Sequence, residues 1–204
     1  KFIYINYPNT PTGAVATKAF YEKLVAWAKT YEVGVVSDLA YGALGYQGYE
    51  NPSFLSTPGA RDVGIEFYTF SKTFNMAGWR LAFAAGNAEM VEALNLIQDH
   101  LFVGIFPALQ EAGIAALLDP KSEEAVAQLN ATYDSRRDAF VQAAAKIGWQ
   151  AFPSRGSFYA WMPVPEGYTS ESFADLLLEK AHVAVAPGKG FGPAGDAYVR
   201  IGLL

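Results

Sequence analysis

The sequence predicts an α/β fold: part of a large domain built on a mainly parallel sheet, followed by a smaller α+β domain. Three observations carry this expectation. Short, mostly apolar runs at 33–36, 65–70 and 81–85 are separated by a helical stretch or long loops, the pattern of strands buried in a sheet covered on both faces. Polar residues, Asn9, Asp38 and Lys72, stand at or just past the C-terminal ends of β-prone runs. From about residue 120 the character changes to a long helical period, then strands and one further helix, so the division is placed at 1–120 and 121–204.

Phe2-Ile3-Tyr4-Ile5-Asn6 is β-prone and ends at the turn-rich Tyr7-Pro8-Asn9-Thr10-Pro11-Thr12-Gly13. Lys1 leads straight into that run, so the sequence reads as a fragment lacking an N-terminal part and incomplete at its end. Thr17 is the expected N-cap of a helix whose apolar stripe is Phe20, Leu24, Trp27, Ala28 and Tyr31. Val33-Gly34-Val35-Val36 forms the next strand, closed by Ser37-Asp38, and the run from Ile65 to Phe70 forms another, closed by Ser71-Lys72. Leu81-Ala82-Phe83-Ala84-Ala85 is a further strand, and Asn87 caps a helix with Val91, Leu94, Ile97 and Leu101 on one face. Asp119-Pro120 has the form of an N-cap and first helical residue. It opens a long helix with the stripe Val126, Leu129, Tyr133, Phe140, Ala144 and Ile147, stopped by Gly148. Strand, turn and strand over 149–162, a helix from about 171 to 182, and strands near 183–186 and 197–203 complete the chain.

The 204 residues are 51% hydrophobic and 17% charged, with a mean hydropathy of +0.10, enough apolar material for a sizeable core. The formal net charge is −5 and no block of Lys or Arg occurs, so neither nucleic acid nor an anionic membrane is an expected partner. The absence of cysteine excludes disulfides and thiolate metal sites, and His100 and His182 lie far apart, so no metal is expected. No apolar run reaches membrane-spanning length and no basic–apolar–small leader opens the sequence, so a cytoplasmic location is expected.

Open α/β sheets bind ligands at the carboxyl ends of their strands, and an Asp or Lys ending an apolar strand has to be paired or hydrated. Asn9, Asp38 and Lys72 therefore mark one candidate site. Arg200 is a further costly charge, placed inside the apolar strand Tyr198-Val199-Arg200-Ile201-Gly202. Gly190-Phe191-Gly192-Pro193-Ala194-Gly195 has dinucleotide-type G-x-G-x-x-G spacing, but a strand rather than a helix follows it, so it reads as a loop beside the substrate site.

Four segments in order carry a more specific likeness. Asn6-Tyr7-Pro8-Asn9-Thr10-Pro11-Thr12-Gly13, then Asp38-Leu39-Ala40-Tyr41, then Ser71-Lys72-Thr73-Phe74-Asn75-Met76-Ala77-Gly78-Trp79-Arg80, and finally the strand holding Arg200 resemble the successive signatures of the class I/II pyridoxal-phosphate-dependent aminotransferases. The likeness covers essentially the whole chain. It implies the aspartate aminotransferase fold (fold type I), with 1–120 as the C-terminal half of the cofactor-binding large domain and 121–204 as the small C-terminal domain. It also implies pyridoxal 5′-phosphate as cofactor, an amino acid and a 2-oxo acid as substrates, and a homodimer.

The same resemblance implies the roles of single residues. Lys72 carries the cofactor and, once freed, moves the proton at the substrate α-carbon. Asp38 keeps the pyridine nitrogen protonated, and Tyr41 donates a hydrogen bond to the ring phenolate oxygen. Arg80, eight residues after Lys72, holds the phosphate with Ser71 and Thr69, a planar guanidinium matching a dianion. Arg200 binds the substrate α-carboxylate through two parallel hydrogen bonds. One position departs from the pattern: the family places Asn directly before Pro-Thr-Gly, where this sequence has Thr10, with Asn9 one residue earlier. Either Asn9 makes the cofactor and substrate contacts through a shifted loop, or the Thr10 hydroxyl substitutes, or the contact is lost; Asn9 is the favoured assignment. Neighbouring readings keep the fold but change the role: a carbon–sulfur lyase with the same cofactor, an aminotransferase-like effector domain of a transcription regulator, or a fragment inactive by itself.

Overall fold

The computed structural model describes residues 1–152 and 154–204. Strand β1 (Phe2–Asn6) leads through the proline-rich turn into helix α1 (Lys18–Tyr31), which starts where expected: the Thr17 side chain accepts from the Phe20 amide at 3.1 Å. Its buried face differs from the expected stripe. Leu24 and Ala28 are buried together with Tyr21 and Val25, whereas Phe20, Trp27 and Tyr31 are exposed. Those aromatics pair along the outer surface instead, Phe20 against Tyr7 at 5.5 Å and Trp27 against Tyr31 at 5.5 Å. The inner face of α1 packs with Val35, Phe54, Ile3 and Ile5 to form the first core.

Strand β2 (Gly34–Asp38), the short helix α2 (Ala60–Val63), strand β3 (Gly64–Thr69), the one-turn helix α3 (Phe70–Thr73) and strand β4 (Ala82–Gly86) follow. The strands form one sheet in the order β1-β2-β3-β4, with the first two pairings parallel and β3–β4 antiparallel, which bears out the mainly parallel α/β expectation. A carboxylate sits inside this sheet. Glu66 is buried, and accepts from Ser37 Oγ at 2.9 Å, from the Phe54 amide at 2.8 Å and from Ser53 Oγ. Three donors satisfy an anion that hydrocarbon alone would not tolerate.

Helix α4 (Ala88–Leu101) is capped by the Asn87 side chain, which accepts from the Met90 amide at 3.1 Å, as expected. Helix α5 (Pro107–Leu118) was not expected. It is apolar around most of its surface, so no stripe stands out at a period of 3.6. Asp119 closes α5 rather than opening the long helix α6 (Ser122–Lys146) as its N-cap: its own amide donates to Ala115, and its side chain accepts from the Lys121 amide at 2.8 Å in the turn between them. Along α6, Tyr133 and Ala144 are buried as expected and Ile147 is exposed beyond the helix end.

The final segment forms β5 (Tyr159–Pro163), α7 (Ser170–Ala181), β6 (Ala186–Pro187) and β7 (Tyr198–Gly202), with an antiparallel sheet in the order β5-β7-β6. Of the strand–turn–strand expected over 149–162, only the second strand forms among the described residues, and Pro153 lies outside them. Trp149 joins β5 through its side chain rather than a ladder, its indole N–H donating to the Pro163 carbonyl at 2.7 Å. Strand β6 starts later than expected because the Val183 amide is taken by Leu177 O at the end of α7. Inward-facing Ala160, Met162 and Val199 pack on Ala144 and Phe173, which leaves Tyr159, Trp161, Tyr198 and Arg200 on the other face of the sheet.

The two halves join over an aromatic cluster of Tyr41, Leu44, Tyr46, Tyr133 and Phe158. Asn130 Nδ2 donates to Ala43 O at 2.9 Å, and the buried Arg137 donates to Ser154 O at 3.3 Å while pairing with Asp134 and Asp138. Among the described residues no helix is long and apolar enough to cross a membrane, and no cluster of three potential metal ligands occurs.

Candidate active site

Parallel pairing of β1, β2 and β3 aligns their C-terminal ends on one edge, so Asn6 lies opposite Asp38 and Asp38 opposite Phe67. Asp38 is the last residue of β2. Its Oδ1 accepts from the Ala40 amide at 3.1 Å, an Asx turn that aims the chain at Tyr41. The carboxylate opens to solvent on one side, yet the sheet edge desolvates it enough to raise its pKa above the ordinary value, against the lowering effect of the Ala40 amide.

Lys72 lies in α3, immediately after β3. Its Nζ stands 5.2 Å from the centre of the Phe158 ring and 6.0 Å from that of Tyr41, and makes no hydrogen bond or ion pair among the described residues. The helical turn begins at Thr69, whose hydroxyl accepts from the Ser71 amide at 3.1 Å and lies 2.9 Å from Ser71 Oγ. The two hydroxyls expected to serve one ligand are therefore neighbours, and Thr69 also caps the turn. The segment closes at Arg80, which adopts a left-handed backbone (φ 54) with Nη1 donating to Ala77 O at 2.8 Å. Asn75 shares that conformation, and two non-glycine residues at positive φ within six positions of one loop are a local cost of the kind that gathers at functional sites.

Tyr41 is buried beside this edge, its ring edge-on to Phe158 at 5.4 Å and to Tyr159 at 6.2 Å. Burial pushes its phenol pKa well up and the nearby Tyr159 adds to this, outweighing the opposing effects of the Arg200 charge and the Thr10 hydroxyl. Tyr41 is therefore a hydrogen-bond donor throughout the neutral range.

Arg200 reaches the same place from the second sheet. It occupies the central strand β7, not an edge, and makes no ion pair among the described residues. Its Nη1 donates to Thr10 Oγ1 at 3.2 Å, and its guanidinium carbon lies 4.1 Å from the centre of the Tyr159 ring and 4.6 Å from that of Phe191. Of the two adjacent candidates in the first turn, Thr10 is the one that meets Arg200. The Asn9 carboxamide is engaged within its own loop, accepting from Thr12 Oγ1 at 2.6 Å and the Thr12 amide at 3.2 Å, with Nδ2 at 3.4 Å from Asn6 Oδ1.

The structure thus brings Lys72, Asp38, Tyr41, Thr69 and Ser71 to one sheet edge, and joins Arg200 to it through Thr10 and the Tyr41–Tyr159 pair. The sequence reading places Phe158-Tyr159 and the 190–195 loop near the substrate site; what it misses is that Tyr159 and Phe191 pack on the guanidinium of Arg200. The available signal was strand alternation, which puts Tyr159, Trp161, Tyr198 and Arg200 on one face. A groove of about 1020 Å³ lies elsewhere, between Phe2, Tyr4 and Phe67 of the sheet and Met90, Leu94 and Ile97 of α4, and none of the candidate site residues lines it.

Comparison with known proteins gives a consistent set. The family described as aminotransferase class I and II matches residues 1–203. The chain is 58% identical over 204 residues to the L-glutamine–4-(methylsulfanyl)-2-oxobutanoate aminotransferase of Bacillus subtilis, covering 100% of this chain and 51% of that protein. It is 48% identical over 203 residues to the LL-diaminopimelate aminotransferase of Moorella thermoacetica, covering 100% of this chain and 52% of the other. Among solved structures, BacF of Bacillus subtilis superposes with a TM-score of 0.95 at 46% identity, over 100% of this chain and 51% of BacF. The chain spans about half the length of the curated relatives it matches.

Proposed function

The chain belongs to the class I and II aminotransferases, and from that premise we propose that the protein moves an amino group between an amino acid and a 2-oxo acid, with pyridoxal 5′-phosphate held on Lys72. One observation carries the reading: Lys72, Asp38, Tyr41, Thr69 and Ser71 converge on one sheet edge, and the half-buried Lys72 and Arg200 there have no ion pair among the described residues. Half-buried charges without a partner at the carboxyl edge of a sheet favour a ligand that carries complementary groups. The donor set fits a group with a phosphate, a ring nitrogen and a phenolate oxygen. Members of the family use this cofactor, which when bound supplies the electron sink for charge developing at the substrate α-carbon.

The chain's own residues do the rest. Arg80 presents a planar fork to the phosphate, and the adjacent hydroxyls of Ser71 and Thr69 add donors. Asp38 holds a proton on the ring nitrogen, and Tyr41 donates its O–H to the phenolate oxygen. Thr10, already bonded to Arg200, is better placed than Asn9 to supply a further polar contact there. Arg200 takes the substrate carboxylate. Lys72 Nζ carries the proton at the α-carbon, and the rings of Phe158 and Tyr41 shield it on one side from water. We further assign residues 1–120 and 121–204 to two domains, and the full-length protein to a cytoplasmic homodimer. Glutamine and 4-(methylsulfanyl)-2-oxobutanoate, named for a relative at 58% identity, are the first substrate pair to assay.

The test uses the full-length protein. Borohydride reduction and peptide mass spectrometry should place the phosphopyridoxyl group on Lys72, and amino-acid consumption should require a 2-oxo acid acceptor. Labelling of another lysine would refute the Lys72 assignment, and release of pyruvate and ammonia without an acceptor would refute the transfer reaction.

A further inference from the structure

We propose that Phe191 is a positioning residue for the substrate carboxylate: with Tyr159 it clamps the guanidinium of Arg200, so that the fork is set before the carboxylate arrives. The inference rests on the reading of Arg200 as the carboxylate anchor and goes beyond it in naming what fixes that anchor.

A guanidinium at the end of a flexible side chain loses rotamer freedom when it binds a bidentate partner, and the loss weakens binding. Ion pairs are the usual means of preventing it, but a carboxylate partner would compete with the substrate. Aromatic faces attract the cation without occupying its N–H donors. Here the guanidinium carbon lies 4.1 Å and 4.6 Å from the centres of two rings, and Nη1 makes a single bond, to Thr10. The rings belong to separate groups: Tyr159 packs with Tyr41 and Phe158, whereas Phe191 packs on Trp161 at 5.9 Å.

Phe191 sits on a loop that is itself tied down, although its ring is partly exposed. At the base of the loop Gly188 and Gly195 lie backbone to backbone, and a Cβ on Gly188 would come within 2.7 Å of Trp161 Cη2. The Lys189 amide donates to Ser170 Oγ at 3.2 Å, Ser170 Oγ donates to Asp196 at 2.8 Å, and Lys189 Nζ pairs with Glu171 at 2.8 Å. Gly190 and Gly192, on either side of Phe191, face open space, and among the described residues the aromatic and cation contacts of the Phe191 ring are those with Trp161 and Arg200.

The experiment compares Phe191→Leu, which keeps apolar bulk but removes the ring face, with Phe191→Trp, which keeps a ring, and with Arg200→Lys, all in the full-length protein. Calorimetric titration with butanoate reads carboxylate binding without turnover, and kcat and KM for an amino acid read the same step in catalysis. Phe191→Leu should raise the butanoate Kd and the amino-acid KM by about fivefold, the order of one cation–π contact. Its kcat should stay within about twofold, and Phe191→Trp should bind butanoate like the parent. Parent-like butanoate binding by the Leu variant would overturn the clamp, as would equal losses of kcat and melting temperature in both Phe191 variants, the mark of simple packing. If Arg200→Lys itself leaves butanoate binding unchanged, the carboxylate reading of Arg200 fails instead.

Discussion

At the scale of single residues, Asp38 is held where the fold gains least from it. Its pKa in the folded chain lies above the ordinary 3.8, chiefly through desolvation, so the native state binds a proton more tightly than the unfolded state does. Stability therefore falls as pH rises through the window that starts at the ordinary value and ends at the raised one. In cofactor-free full-length protein, Asp38→Asn should abolish that slope and be the more stable form at neutral pH, measured by urea unfolding across the acid range. The same variant should lose turnover once cofactor is added. Arg200 answers a different question. Arg200→Lys keeps the charge but not the fork, and should cost roughly 2–4 kcal/mol in kcat/KM for amino acids. Absorbance of bound cofactor should be unchanged, because the proposed phosphate contact is with Arg80.

Among the elements, α5 does more for the site than its plain sequence suggests. Gly113 brings it against Phe70 and Leu81, which flank the turn that carries Lys72: a Cβ there would meet Leu81 Cδ2 at 2.7 Å and Phe70 Cζ at 3.3 Å. Leu81 can rotate away from one methyl, and alanine favours helix, so Gly113→Ala should be close to neutral. Gly113→Val adds branched bulk that cannot be relieved, and should lower unfolding stability by about 1–3 kcal/mol in denaturant titrations. Helix α5 also shows where sequence reasoning stops. Thr17 and Asn87 announced their helices because an N-cap is a bond between near neighbours, and the strands before Asp38 and Lys72 showed as apolar runs. A helix apolar on nearly every side carries no period, and a residue such as Asp119 fits an N-cap and a C-cap equally well until its neighbours are known. The candidate site divides in the same way. Its strand-end groups were legible, since position along a strand is local. The Thr10–Arg200 contact joins residues 190 apart, and the sequence does not show that Asn9 is engaged within its own loop while Thr10 meets Arg200.

For the whole molecule, the surface matters as much as the site. Leu101, Phe102, Val103 and Phe106 are all exposed around the α4–α5 connection, a run of apolar side chains beyond what single surface residues explain. The isolated 204-residue chain should therefore self-associate in sedimentation velocity and bind a hydrophobic dye, and the pair Phe102→Glu and Val103→Glu should reduce both. A last consequence comes from the two sheets. Lys72 follows a strand of the four-stranded sheet and Arg200 sits mid-strand in the three-stranded one, so the two groups are fixed to separate frameworks that meet at Tyr41 and Tyr159. On the proposed roles, the carboxylate is held by one framework and the α-hydrogen faces the other, while the amino group at the cofactor supplies the third fixed point. With three substituents fixed, only one enantiomer presents its hydrogen to Lys72. The handedness of the amino acid would then depend on how one sheet is set against the other.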